Sequence, residues 1–203
     1  MGRKKSWLLG QLIFMKIFKE KAIGQPAFTL VEIIIVIGIF VGLMSATIVN
    51  YRSGSRQSQL RLAAQELATN IRLAQSYAVG SKDFVDPNGS DHASQSPQGG
   101  WGVYASLDNP DSYQIVVDLD DDHLFDKPFR RINLPNNVVM EHIEDNSGPV
   151  NDGTVFFKPP EPQTFINGQA GNQITFTLKD QIEATTSQVM VNFFGLVEVK
   201  QDE

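Results

Sequence analysis

The spacing of hydrophobic residues changes twice along the chain. From Ala27 to Val49 nearly every position is apolar, and Glu32 is the single charge in those 23 residues. At about 1.5 Å per residue a helix over this stretch measures roughly 35 Å, enough to cross a bilayer core, so a transmembrane helix is expected over about 28–50. Farther on, Leu60, Ala64, Leu67, Ile71, Ala74 and Ala78 follow steps of four and three, while Arg56, Arg61, Glu66 and Arg72 take other positions. That is one apolar face of an α-helix. No proline occurs between Pro26 and Pro87. The pattern therefore predicts one helix over 28–80, starting near Phe28, running to about Tyr77 and stopping at Gly80. Gly38, Gly42 and Gly54 are its soft points.

Residues 81–100 are rich in Gly, Pro, Ser, Asp and Asn and read as a loop. From Trp101 the period becomes two. Trp101, Val103 and Ala105 alternate with Gly102, Tyr104 and Ser106, and Tyr113, Ile115 and Val117 with Gln114, Val116 and Asp118. Similar runs lie at 138–143, 154–157, 174–178, 189–193 and 197–199, separated by turn signals at Asn109-Pro110, Pro135-Asn136-Asn137, Asn151-Asp152-Gly153 and Asn167-Gly168. Gly195 marks a turn or bulge. The expected fold class is α+β: a long N-terminal helix, half membrane-embedded and half amphipathic, packed on a mainly antiparallel β-sheet head at 81–203.

Charge sharpens this division. Six basic residues (Arg3, Lys4, Lys5, Lys16, Lys19, Lys21) and one acid, Glu20, precede Phe28, so of the net −6 the leader carries +5 and the remainder −11. The excess of Lys and Arg places the leader in the cytoplasm and the head across the membrane, which predicts a single-pass protein of the inner membrane with a periplasmic or extracellular head. An acidic head argues against nucleic acid as a partner, since phosphate binding needs clustered Lys and Arg. Cysteine is absent, which excludes disulfides and thiolate metal sites. The leader, 1–27, contains a short apolar piece from Trp7 to Phe18. Either Met1 or Met15 can serve as its start, the latter giving a shorter basic leader.

An acid near one end of an apolar helix calls for a partner. The residues before it are Pro26-Ala27-Phe28-Thr29-Leu30-Val31-Glu32, after a basic leader. This resembles the class III signal of type IV prepilins and pseudopilins. The resemblance implies cleavage by a prepilin peptidase between Ala27 and Phe28, N-methylation of Phe28, and a role in assembly for Glu32, which becomes the fifth mature residue. Ala27 stands where the family usually has Gly. The new α-amino group at Phe28 and the Glu32 carboxylate lie one helical turn apart, or pair between neighbouring subunits. The order of the later pieces, from Gly100-Trp101-Gly102-Val103 through Leu134-Pro135-Asn136-Asn137-Val138 to Val191-Asn192-Phe193-Phe194-Gly195-Leu196-Val197, is similar to minor pseudopilins of the GspH/FimT type, from type II secretion and type IV pilus systems. The resemblance implies a structural fibre subunit whose partners are the peptidase, other pilin or pseudopilin subunits, an inner-membrane assembly platform and membrane lipid. Two other readings stay open: a ligand- or DNA-binding minor pilin, and a signal-anchored envelope protein.

Two stretches carry candidate chemistry. Asp118, Asp120 and Asp122 echo the first positions of a calcium loop, but His123 stands where that loop wants Gly and Phe129 where it wants a bidentate Glu. Calcium is the one cofactor the chain suggests; the plain alternative is a solvated acidic hairpin turn. Ser90-Asp91-His92 contains the residue types of a nucleophilic triad, yet adjacent residues in one loop lack the fixed geometry that a triad requires. His92, His123 and His142 show no metal spacing, and Asn88-Gly89-Ser90 is a sequon by chance. No enzymatic activity is expected.

Overall fold

The computed structural model describes residues 28–86, 94–159 and 163–201, with the side chains of 46–55 left aside. The leader with Ala27, both candidate starts, the sequon and Ser90-Asp91-His92 lie outside the described residues. The chain divides into two compact units between Val49 and Asn50. Helical backbone (α1) is assigned over Leu30–Val79, and its described side chains form one piece in each unit, 30–45 and 56–79.

In the first unit, 30–45 is apolar around its whole circumference and exposed. Five consecutive residues, from Ile33 to Ile37, are each between 45% and 60% exposed, so no single face is buried. The expected transmembrane span and inner-membrane location are corrected here: among the described residues no helix is long and apolar enough to cross a membrane. The described apolar piece runs for about 16 residues, roughly 24 Å of helix against about 30 Å of bilayer hydrocarbon.

The second unit is built mainly from strands. They are β1 (Phe84–Val85), β2 (Ser94–Gln95), β3 (Gly100–Ser106), β4 (Ser112–Asp118), β5 (Lys127–Asn133), β6 (Val138–Asp145), β7 (Gly148–Val150), β8 (Asp152–Lys158), β9 (Gln163–Ile166), β10 (Gln169–Ala170), β11 (Ile174–Asp180), β12 (Thr186–Val191) and β13 (Val197–Gln201). All pairings are antiparallel. They give a six-stranded sheet in the order β10-β9-β8-β3-β4-β5, a five-stranded sheet in the order β13-β12-β11-β6-β7, and the β1–β2 ribbon. This corrects the expected fold class. In place of one long helix packed on a β head, the architecture is mostly β-sheet with two short described helical pieces, of which 56–79 packs in the core. The physical reason is that the two pieces differ in periodicity. Only the second has a narrow apolar stripe with polar flanks, which a sheet can cover on one side.

That stripe is the centre of the head. Leu60, Ala64, Leu67, Ile71, Ala74 and Ala78 are all buried, joined by Ala63 and Ala68. The alanines are small enough to let strands approach the helix closely. They share one core with Trp101, Val103, Ile115, Val155 and Phe157 of the large sheet, and with Ile143, Phe176, Leu178, Val189 and Val191 of the smaller one. The helix ends as its backbone closes a final turn, Gly80 N donating to Ser76 O at 2.9 Å and Lys82 N to Tyr77 O at 2.9 Å.

Edge strand β5 (KPFRRIN) was not legible as a strand, because a proline and three cations break its alternation. Tertiary contacts hold it. Arg130 donates to Asn70 Oδ1 at 3.0 Å, and Asn70 Nδ2 donates to the Tyr113 hydroxyl at 2.8 Å. This polar chain ties α1, β4 and β5 together, running from exposed Arg130 to buried Asn70 and Tyr113, and burial pushes the Tyr113 phenol up to about 12. Pro128 lies in this edge strand, opposite Val116 beside a register shift, the kind of position where sheets tolerate proline.

If 56–79 is the core helix, Leu67→Ala should destabilise the head by about 2–5 kcal/mol, whereas exposed Leu62→Ala should change stability by less than about 0.5 kcal/mol. Urea titration of both variants checks this; equal effects would mean that the stripe is misplaced.

Candidate functional site

Two places concentrate polar chemistry: the start of α1 and the loop between β4 and β5.

Thr29 caps the helix. Ile33 N donates to Thr29 O at 3.2 Å, the first turn of the helix, and Glu32 N donates to Thr29 Oγ1 at 3.2 Å. Glu32 follows three residues after this cap, the Thr-x-x-Glu spacing of a capping box. Its carboxylate also lies where the helix dipole favours negative charge. Thr29 and Glu32 stand in plain view in the sequence, but there the same residues resemble a processing signal, and the capping role follows from the folded backbone. Phe28 precedes the cap with its ring 75% exposed, and Glu32 is exposed as well. Glu32 thus has a local stabilising role in the first turn of the helix and an exposed side chain.

The β4–β5 loop, 119–126, differs from the solvated turn that the sequence suggested. Asp118, at the end of β4, is fully buried. Its Oδ1 accepts from Asp121 N and its Oδ2 from His123 N, both at 2.8 Å. The loop therefore wraps around this carboxylate. Gly99 makes room for it, since an added Cβ there would lie 1.8 Å from Asp118 Oδ2. The far side of the loop is pinned to the face of the large sheet opposite the helix. The His123 ring stacks on Phe165 with centroids 3.7 Å apart, Phe125 stacks on Tyr104 at 5.2 Å, and Lys158 Nζ meets Asp121 Oδ2 at 2.6 Å. Asp121 and His123 adopt positive φ, 70° and 62°, which these contacts must hold in place.

Of the expected calcium ligands, Asp118 and Asp120 come together with Asp126, their carboxylate oxygens within 4.8 Å of one another. Asp122 is in neither candidate group; its Oδ1 accepts from Leu124 N at 2.8 Å. Asp126 Oδ2 accepts from Leu119 N at 2.7 Å, so part of this oxygen set already serves the loop backbone. A second group, Asp118, Asp121 and His123, places His123 Nδ1 3.7 Å from Asp118 Oδ2 and 3.6 Å from Asp121 Oδ1. An imidazole nitrogen is a poor ligand for calcium, which takes oxygen ligands. Asp126, Gly99 and the role of His123 escaped the sequence reading, because only the folded loop brings them to Asp118.

Comparison with protein-family models, with curated proteins and with solved structures returns no match.

Burial raises the Asp118 carboxyl above its ordinary value, opposed by the two backbone N–H donors and reinforced by Asp122 and Asp126. A carboxyl raised in the folded state contributes most when protonated, and that contribution is lost as pH rises through the raised value. Asp118→Asn cannot titrate and turns one amide donor toward a backbone N–H, a mismatch worth about 1–3 kcal/mol. The stability of the wild type relative to Asp118→Asn should therefore be greatest near the bottom of the carboxylate range and shrink toward neutrality. Paired denaturant titrations at acid and neutral pH check the sign; a gap that grows with pH would contradict it.

Proposed function

We propose that this chain is a structural subunit of the pilin or pseudopilin type, cut before Phe28 by a prepilin peptidase and assembled with copies of itself and related subunits through the 28–45 segment. The observation that carries the reading is the unbroken apolar exposure of that segment. Leu30 is 74% exposed, Ile34 60%, Val41 58% and Leu43 63%, on a helix that begins at a defined cap. A contiguous apolar surface of this extent marks an interaction site. Burial against equivalent helices of neighbouring copies would stabilise an assembly by about 25 cal/mol per Å² of apolar surface removed from water.

The processing motif accounts for the ends of this surface. Cleavage before Phe28 sets a positive α-amino group next to Thr29, close to the Glu32 carboxylate. Inside an assembly of apolar helices, a neighbour's amine is the natural counter-charge for Glu32, and desolvation makes an unpaired carboxylate there costly. Glu32 then selects the register in which each copy meets the next. The function is one of construction rather than catalysis.

Co-expression with a prepilin peptidase should yield a mature chain beginning at Phe28, read by intact mass and terminal sequencing, and Glu32→Leu should reduce incorporation into sheared fibres while leaving the melting of the head unchanged. A chain that remains uncut beside an active peptidase would overturn the proposal.

A further inference from the structure

The head carries an open depression where Asn167 of the large sheet meets Asp145 of the smaller one. Its floor is the outer face of β3 and β8, where Tyr104 pairs with Thr154. One wall is the β6–β7 turn, with Asp145 and Ser147; another is the tip of the β4–β5 loop, with exposed Leu124 and Phe125. The volume is about 600 Å³, room for several side chains.

The walls are fixed. Asn167, at the β9–β10 turn, donates from Nδ2 to Asp145 Oδ2 at 2.8 Å and accepts from Thr154 N at 2.9 Å, so it ties the turn of the smaller sheet to the larger sheet. Ser147 N donates to Asp145 Oδ1 at 2.8 Å. Tyr104 donates its hydroxyl to Asp152 Oδ1 at 2.8 Å while its ring stacks on Phe125. Two carboxylates and two aromatic rings thus converge, and among the described residues no cationic side chain lines the depression.

We propose that this depression is a docking site for a lysine- or arginine-bearing extended segment of another protein. The carboxylates of Asp145 and Asp152 supply the counter-charge, and the Tyr104–Phe125 pair supplies faces for an alkyl stem or a cation. Charge also selects the source. Residues 50–203 carry 11 basic and 21 acidic side chains, a net −10, so the heads of two copies repel one another at long range. Many cations of the head are already engaged within it: Lys127 with Asp86, Lys158 with Asp121, Lys179 with Glu141, Arg56 with Glu183, and Arg130 with Asn70. A second copy is therefore poorly furnished to fill an acidic cleft, and a basic partner is well furnished.

The test uses the full chain, kept monodisperse in a non-ionic detergent, and a short fluorescent capped peptide of alternating lysine and serine, with binding read by anisotropy. Binding should weaken as salt is raised. The double variant Asp145→Asn/Asp152→Asn should weaken it about tenfold, as loss of two exposed charge pairs requires. Phe125→Ala, which keeps both charges, should weaken it by about threefold through the lost stacking face. Glu198→Gln, a charge removed elsewhere on the head, should leave it unchanged. Melting curves confirm that each variant is folded. Equal affinity for the folded double variant, equal binding of a glutamate–serine peptide, binding only of a neutral maltooligosaccharide, or self-association abolished by the double variant without peptide binding would each overturn the proposal.

Discussion

The head depends on the burial of one helical stripe. Leu60, Ala64, Leu67, Ile71, Ala74 and Ala78 meet the inward residues of both sheets in a common core. The alternation in β11 and β12, inward Ile174, Phe176, Leu178, Val189 and Val191 against more exposed neighbours, has meaning only because the stripe is there to receive it. The large sheet responds in the same way on its inner face. Its outer face then remains to be covered, and this second requirement shapes the rest of the head.

Covering the outer face is the work of the β4–β5 loop and the neighbouring turns. Phe156 is buried on that side, made possible by Gly102, where a Cβ would lie 2.6 Å from its ring. The loop closes by wrapping its backbone N–H groups around the buried Asp118 carboxylate and by laying His123 on Phe165 and Phe125 on Tyr104. A buried carboxylate is an expensive organiser. It is tolerated because two N–H donors satisfy it directly and Gly99 leaves it space. The same closure shapes one wall of the acidic depression, so a stability device and a candidate recognition surface share one loop.

At the other end of the chain a different balance holds. Residues 30–45 place large apolar side chains on every side of a helix whose start is fixed by Thr29. Such a surface is stable only when something covers it, and that requirement is a stronger guide to function than the head, whose interior is already complete. Glu32 joins the two scales: it lies in the first turn of its own helix and offers a charge to whatever approaches.

Much of this was legible in residue spacing. The helical stripe and strands β3, β4, β6, β8, β11, β12 and β13 show as periods of 3.6 and 2, because a side chain's direction follows directly from backbone geometry. The turns at Asn137, Asn167 and Gly195 show as residues that tolerate positive φ. Other features depend on partners distant in sequence and left no local trace. β5 is held as a strand by pairing with β4 and by the bond from Arg130 to Asn70. Gly153, which reads as part of a turn, lies in β8 because an added Cβ would press within 2.8 Å of Ile143 and Ile174. The acidic run reads as a solvated turn or a calcium loop; the fold buries Asp118, leaves Asp120 and Asp122 nearer the surface, and brings Asp126 rather than Asp122 to Asp118 and Asp120. The apolar run announced a helix but not its surroundings: length and composition describe what a segment can cover, while tertiary structure decides what covers it. The sequence by itself thus determined which residues form elements and which face of each is apolar, since those follow from local covalent geometry. The folded chain alone decided which faces meet, which carboxylate is buried and which aromatic rings stay open to a partner, since those follow from packing between residues far apart in the chain.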